Sequence, residues 1–218
     1  MIISVIGFIN TISYFSITHN INRDINIHGT GDTITKIKVE NIVATAVIAE
    51  QLDLKKASMI LKGGEHNPER FPGLIYHTLH PKSAVLLFRS GKLVCTGAKT
   101  IDEVNAVIYG IVKAFKKKNS GALGVVVKPE IHIQNIVASV DLGSDLDLTK
   151  IAITFGLEKI EYEPEQFPGL VYRIKDPKVV SLLFTSGKIV CTGATKISDI
   201  TLAVEKMKKE LSAAGFLK

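Results

Sequence analysis

Leu86-Leu87-Phe88-Arg89-Ser90-Gly91-Lys92-Leu93-Val94-Cys95-Thr96-Gly97-Ala98 returns at 182–194 as Leu182-Leu183-Phe184-Thr185-Ser186-Gly187-Lys188-Ile189-Val190-Cys191-Thr192-Gly193-Ala194, identical at 11 of 13 positions. Chance does not place such a run twice in one chain, so the sequence is an internal duplication. Working outward, Phe71-Pro72-Gly73-Leu74-Ile75-Tyr76 returns as Phe167-Pro168-Gly169-Leu170-Val171-Tyr172, again 96 residues on. Further upstream, Asn41-Ile42-Val43-Ala44 returns as Asn135-Ile136-Val137-Ala138 at an offset of 94, so the second copy gained two residues in between. Two copies are too few for a solenoid, which needs at least three. A pair sharing one sheet about a pseudo-two-fold axis is the expected outcome.

Each copy has a legible order of elements. Lys38–Val47 is rich in Val, Ile and Thr and predicts a strand. Leu54–Leu61 predicts a short helix. Leu74–Leu79, Ala84–Arg89 and Lys92–Gly97 predict three strands, the last two joined by a tight hairpin at Ser90-Gly91. Thr100 with Glu103 forms a capping box that opens a helix to about Lys118. Ile101, Val104, Ile108, Ile111, Val112 and Phe115 make its apolar stripe, as Ile197, Ile200, Val204, Met207 and Leu211 do in the second copy.

Composition narrows the class. The chain has 218 residues, 46% of them hydrophobic, which supports a real core. Cys95 and Cys191 give neither a disulfide framework nor metal spacing, and they suit a reducing compartment. The formal charge of +6 is unevenly spread. Residues 36–118 hold 14 Lys+Arg against 7 Asp+Glu, residues 128–218 hold 12 of each, and residues 1–35 carry −1. A basic surplus suits a polyanionic partner without proving one. Residues 1–35 lack Leu, Ala, Glu and Lys and carry neither a basic leader nor an uninterrupted apolar run, so they are set apart from the fold as an N-terminal extension, expected to be poorly ordered or the product of a start codon assigned too early.

The strands pose a further question. Leu86-Leu87-Phe88, Leu93-Val94-Cys95 and Ile42-Val43 are apolar on both parities, whereas a sheet with one wet face alternates. Either both faces are buried, or one is an apolar surface meant for a partner. One short and one long helix per copy suffice to layer a single face, which favours the second reading. Residues two apart share a face. Leu86 with Phe88, Val94 with Thr96 and Asn41 with Val43 then line the open side, and Cys95 points under the helices. That side offers no arginine cluster and no carboxylate pair. It suits the floor of an A·T minor groove, whose edges present acceptors.

These residues make the chain similar to the TATA-box-binding proteins, of archaeal type, over about 36–217. The resemblance rests on one asparagine per copy, a phenylalanine pair per copy, and the Ser-Gly-Lys hairpin followed by Val-Cys-Thr-Gly. It implies an α+β fold: a saddle-shaped, curved, ten-stranded antiparallel sheet with four helices on its convex face. Residues 36–124 and 125–218 would be the two pseudo-symmetric repeats of one domain. It also implies a general initiation factor that binds the minor groove, bends the DNA, and needs no cofactor or metal. Phe71 and Phe88 would intercalate at one end of the element, and Phe167 and Phe184 at the other. Asn41, Val43, Leu86, Val94 and Thr96, with Asn135, Val137, Pro168, Leu182, Val190 and Thr192, would contact the bases. Arg70, Lys92, Arg173 and Lys188 would meet phosphates.

Partner expectations follow from the same resemblance. They are double-stranded DNA, a transcription factor B homologue met by Glu163 and Glu165, and RNA polymerase indirectly. No membrane is expected, and the location would be the cytoplasm, at the nucleoid. The apolar face leaves self-association of the DNA-free chain open. Against an enzyme, Gly91–Thr100 lacks the order of a phosphate-binding loop, and the histidines show no ligand spacing. The rival reading is a sheet that stacks single-stranded RNA on exposed aromatics.

Overall fold

Glycine punctuates strand and loop here at positions where geometry admits little else. The computed structural model describes residues 24–27, 35–117, 128–156 and 158–217. In chain order the elements are β1 (Asp24–Ile27), β2 (Thr35–Val47), α1 (Leu54–Ile60), β3 (Leu74–Leu79), β4 (Lys82–Leu87), β5 (Lys92–Ala98) and α2 (Ile101–Lys117). The second copy follows with β6 (Ile131–Asp141), α3 (Leu148–Phe155), β7 (Ile160–Glu161), β8 (Leu170–Ile174), β9 (Val179–Leu183), β10 (Lys188–Ala194) and α4 (Ile197–Ala213). Lys118, the expected end of the first long helix, and most of the N-terminal extension lie outside the described residues.

The chain divides into two compact units, one built on Asn41–Gln134 and one joining Asn20–Glu40 to Asn135–Lys218. Within the first, β3-β4-β5-β2 pair in that order, every pair antiparallel. Within the second, the order is β6-β10-β9-β8-β7, again antiparallel throughout. In neither unit do the strands close into a barrel. In the second unit β1 pairs with the start of β2, so Asp24–Ile27, inside the extension, form a strand.

Both serine-glycine hairpins form as expected. Gly91 N–H donates to the Phe88 carbonyl at 3.0 Å, and Phe88 N–H donates to Lys92 at 2.9 Å. A type I turn ending in a left-handed glycine has this pattern. Gly91 has φ 70°, and a Cβ there would sit 1.7 Å from the Ala49 carbonyl oxygen. The tip lies that close because its carbonyl accepts from Ile48 N–H at 2.8 Å. Gly187 repeats the arrangement, with φ 73° and the Ser144 oxygen 2.0 Å from a would-be Cβ.

The four helices among the described residues cover the helix-facing side chains of the strands. Glu103 N–H donates to Thr100 Oγ1 at 3.1 Å, and the Glu103 carboxylate reaches back to Lys99 N–H at 2.8 Å, closing the predicted box one residue early. Val104, Ile108, Ile111, Val112 and Phe115 are buried as expected, together with Val107. Ile101 is 49% exposed. It is the first helical residue, and helical side chains lean toward the N-terminus, so this one projects past the end of the packed face.

Two five-stranded repeats would give ten strands, and among the described residues the repeats supply nine. The counterpart of β7 in the first copy is a single bridge, Glu65 to Ile75, held by backbone bonds of 2.8 and 2.9 Å. Gly63 and Gly64 stand there where the second copy has Lys159 and Ile160. Glycine has no side chain to pack on a pleated surface, so the strand does not extend.

Candidate nucleic-acid interface

In the first unit, Val94 of β5 lies opposite Thr45 of β2 on one side and Leu86 of β4 on the other. Val43 and Val94 form a small apolar cluster on which Leu86 and Phe88 pack. The faces predicted from parity are therefore the observed ones. Cys95 points the other way and is fully buried. Desolvation pushes its thiol up to about 12, and that of Cys191 to about 11. Both sulfurs are inert core atoms at neutral pH.

A β-bulge sets the polar part of the site. The register between β2 and β5 shifts between Ile42 and Ala44, and that between β10 and β6 shifts between Cys191 and Ala194. Gly97 and Gly193 lie in these shifts with φ of 99° and 97°. Each turns its N–H onto the neighbouring asparagine: Gly97 to Asn41 Oδ1 at 2.7 Å, Gly193 to Asn135 Oδ1 at 2.8 Å. A backbone N–H needs an acceptor, so this bond decides which end of the amide is oxygen. The Nδ2 end is the donor, and it lies 3.1 Å from Thr96 Oγ1 in the first copy and 3.1 Å from Thr192 Oγ1 in the second. Neither sequence parity nor motif spacing marked the bulge glycines as part of the site. The Thr-Gly that follows Val-Cys in both copies was the available signal.

The open face is less open than expected. Asn41, Val43, Val94, Asn135, Val137, Leu182 and Val190 are all buried, whereas Leu86, Thr96, Thr192 and the four phenylalanines are partly covered. In the first unit the reason is local: Leu86 and Phe88 fold over the valines and shield them.

The phenylalanines lie in the pairs that the resemblance implied. The Phe71 and Phe88 rings lie 5.8 Å apart at 60°, and those of Phe167 and Phe184 lie 6.0 Å apart at 72°. Tilted and edge-on contacts of this kind match the ring quadrupoles. The glycine after each Phe-Pro makes room. A Cβ on Gly73 would meet Phe71 Cε1 at 2.6 Å, and one on Gly169 would meet Phe167 Cε1 at 2.7 Å and Phe184 Cε1 at 3.1 Å. Pro168 is exposed beside its pair.

Of the four candidate phosphate contacts, Arg70, Lys92 and Lys188 are exposed cations. Arg173 is exposed too, but its guanidinium holds both oxygens of Glu161 at 3.0 Å. Glu163 and Glu165 are exposed, on a turn closed by Phe167 N–H donating to the Glu163 carbonyl at 2.9 Å. Among the described residues, no group of His, Cys, Asp and Glu could hold a metal ion, and no helix is long and apolar enough to cross a membrane.

Fold and site together define a duplicated α+β protein that presents one asparagine-threonine-valine set and one phenylalanine pair per copy. The family described as "Transcription factor TFIID (or TATA-binding protein, TBP)" matches residues 36–118 and 130–214. A TATA-box-binding protein of Picrophilus torridus is 55% identical over 182 residues, covering 84% of this chain and 97% of that protein. One from Archaeoglobus fulgidus is 50% identical over 84% of this chain and 98% of its own length. The solved structure of Methanococcus jannaschii TBP superposes with a TM-score of 0.74 at 46% identity, covering 81% of this chain and 98% of that one. The chain belongs to the TATA-binding protein family, whose members are DNA-binding transcription factors and not enzymes.

Proposed function

We propose that the chain is a general transcription initiation factor that binds a TATA element through the minor groove and bends it. The observation that carries this reading is the repeated amide clamp, in which Gly97 and Gly193 fix the donor end of Asn41 and Asn135 with near-identical geometry. The A·T minor groove offers only the acceptors adenine N3 and thymine O2, so a pre-oriented amide donor is the complementary group. Val43, Val94, Val137 and Val190 beside it provide no acceptor. A guanine amino group placed there would lose its partner, at a cost of about 1–3 kcal/mol.

The phenylalanine pairs supply the bend. Wedging a ring into a base step costs a few kcal/mol of unstacking, offset when the bent duplex meets more protein. Arg70, Lys92 and Lys188 would position the backbone without reading sequence. With the element bent, the exposed Glu163 and Glu165 would receive a transcription factor B homologue, and through it RNA polymerase.

A gel shift with a TATA duplex, a GC-substituted duplex and single-stranded RNA, run beside a fluorescence measure of bending, tests the proposal. Tight, bent complexes with the TATA duplex alone are expected. Preference for RNA, or equal affinity for the two duplexes, would overturn it.

A further inference from the structure

The second copy carries a side-chain network with no counterpart among the described residues of the first. Tyr172 of β8 is buried, with its ring edge-on to Phe155 of α3 at 6.0 Å. Its hydroxyl donates to Glu210 of α4. The same Glu210 oxygen takes Lys159 Nζ at 3.5 Å, and the Lys159 carbonyl accepts from Arg173 N–H at 2.9 Å. The Arg173 side chain then grips Glu161, the last residue of β7. Four side chains from three segments thus converge on the two-residue strand that leads into Glu163-Pro164-Glu165.

Ninety-six residues earlier, Ala114 stands for Glu210, Gly63 for Lys159 and His77 for Arg173. For Tyr76 the place of Glu210 on α2 is therefore taken by Ala114, and the strand shrinks to the single Glu65–Ile75 bridge. The network is therefore tied to the copy with the acidic loop, not to the repeat fold.

We infer that Glu210 is a positioning residue for partner docking: through Tyr172 and Lys159 it anchors β7 and holds the Glu163–Glu165 loop ready. This rests on the reading of that loop as the contact for a transcription factor B homologue. A loop ordered in advance does not lose its freedom on association, so the anchor acts on the ternary complex and not on DNA binding.

The test uses the full chain, TATA duplex and a purified archaeal transcription factor B homologue. Glu210→Ala is expected to raise amide exchange at Ile160–Glu165 and to shorten the ternary lifetime by roughly fivefold, with binary affinity within about twofold. Glu210→Gln, which keeps an acceptor for Tyr172, recovers part of both. Val107→Ala, a core truncation in the other unit, lowers the melting temperature without either effect. Unchanged exchange, or the same ternary loss in Val107→Ala, overturns the inference. So does a ternary loss confined to Glu163→Lys/Glu165→Lys with none in Glu210→Ala. If that charge reversal itself has no effect, the loop is not the contact and both readings fail, which the exchange data separate from a failure of anchoring alone.

Discussion

At the scale of single residues, the candidate asparagine and phenylalanine contacts are each held by something beside them. Asn41 and Asn135 owe their orientation to a glycine N–H, and each phenylalanine leans on another. A wedge for a base step is expected to be a free, exposed ring at Phe184. It is instead half-covered against Phe167 at 6.0 Å, over a glycine that makes space for the ring. Removing it therefore has two consequences. Phe184→Ala should lower stability by at least about 1 kcal/mol, the worth of an aromatic pair, with the apolar burial of the half-covered ring lost in addition. It should also reduce bending and shorten the DNA complex, because Phe167 loses its support. Thermal unfolding and a bending assay on one preparation measure both; a collapse of the fold with bending unchanged would make the ring a core residue. That these residues form matched sets was legible because the duplication repeats them. Their burial was not, because parity says which face a side chain takes and nothing about whether a neighbour folds over it.

At the scale of elements, the sequence was most informative where backbone geometry leaves few choices. Ser90-Gly91 predicted a hairpin, and the left-handed glycine packed on the Ala49 carbonyl explains why. It was least informative at short pieces such as β7, whose two residues carry no periodicity. The short helices show another feature that spacing did not reveal. Asp53 caps α1 by accepting from Lys55 and Lys56 N–H at 3.0 and 3.1 Å, and Asp147 caps α3 by accepting from Lys150 N–H at 3.0 Å. The backbone bond from Lys56 foremost holds the Asp53 carboxyl below its ordinary value of 3.8, and that from Lys150 does so for Asp147. A depressed carboxylate stabilises the fold above its unfolded value, and the contribution is lost as pH falls through the folded value. Melting temperature should thus decline below about pH 4. Asp53→Asn/Asp147→Asn keeps a capping side chain but removes the proton, so its acid decline should be shallower. An identical decline in the double variant would assign the acid limb to other groups.

At the scale of the whole molecule, duplication supplies two similar half-sites and sequence divergence makes them unequal. The first copy is basic with a surplus of seven, and the second is neutral with Glu158, Glu161, Glu163 and Glu165 clustered just before Phe167. The same inequality reaches the cations expected to meet DNA. Arg70 and Lys92 in the first copy and Lys188 in the second are exposed, whereas Arg173 in the second is gripped by Glu161 through both carboxylate oxygens. An arginine so engaged has to give up its carboxylate before it can meet a phosphate, and the exchange gains little net charge attraction. Each phosphate contact contributes about 0.9 to the slope of log affinity against log salt. Arg70→Gln and Lys92→Gln should therefore each flatten that slope by nearly one, whereas Arg173→Gln should barely change it. Titrations of the TATA duplex at four or more salt concentrations give the three slopes directly. Equal flattening by all three would mean that Glu161 releases Arg173 on DNA. The resulting asymmetry would then lie in the acidic loop alone, and the basic surplus of the first copy would have no part in setting the direction of binding.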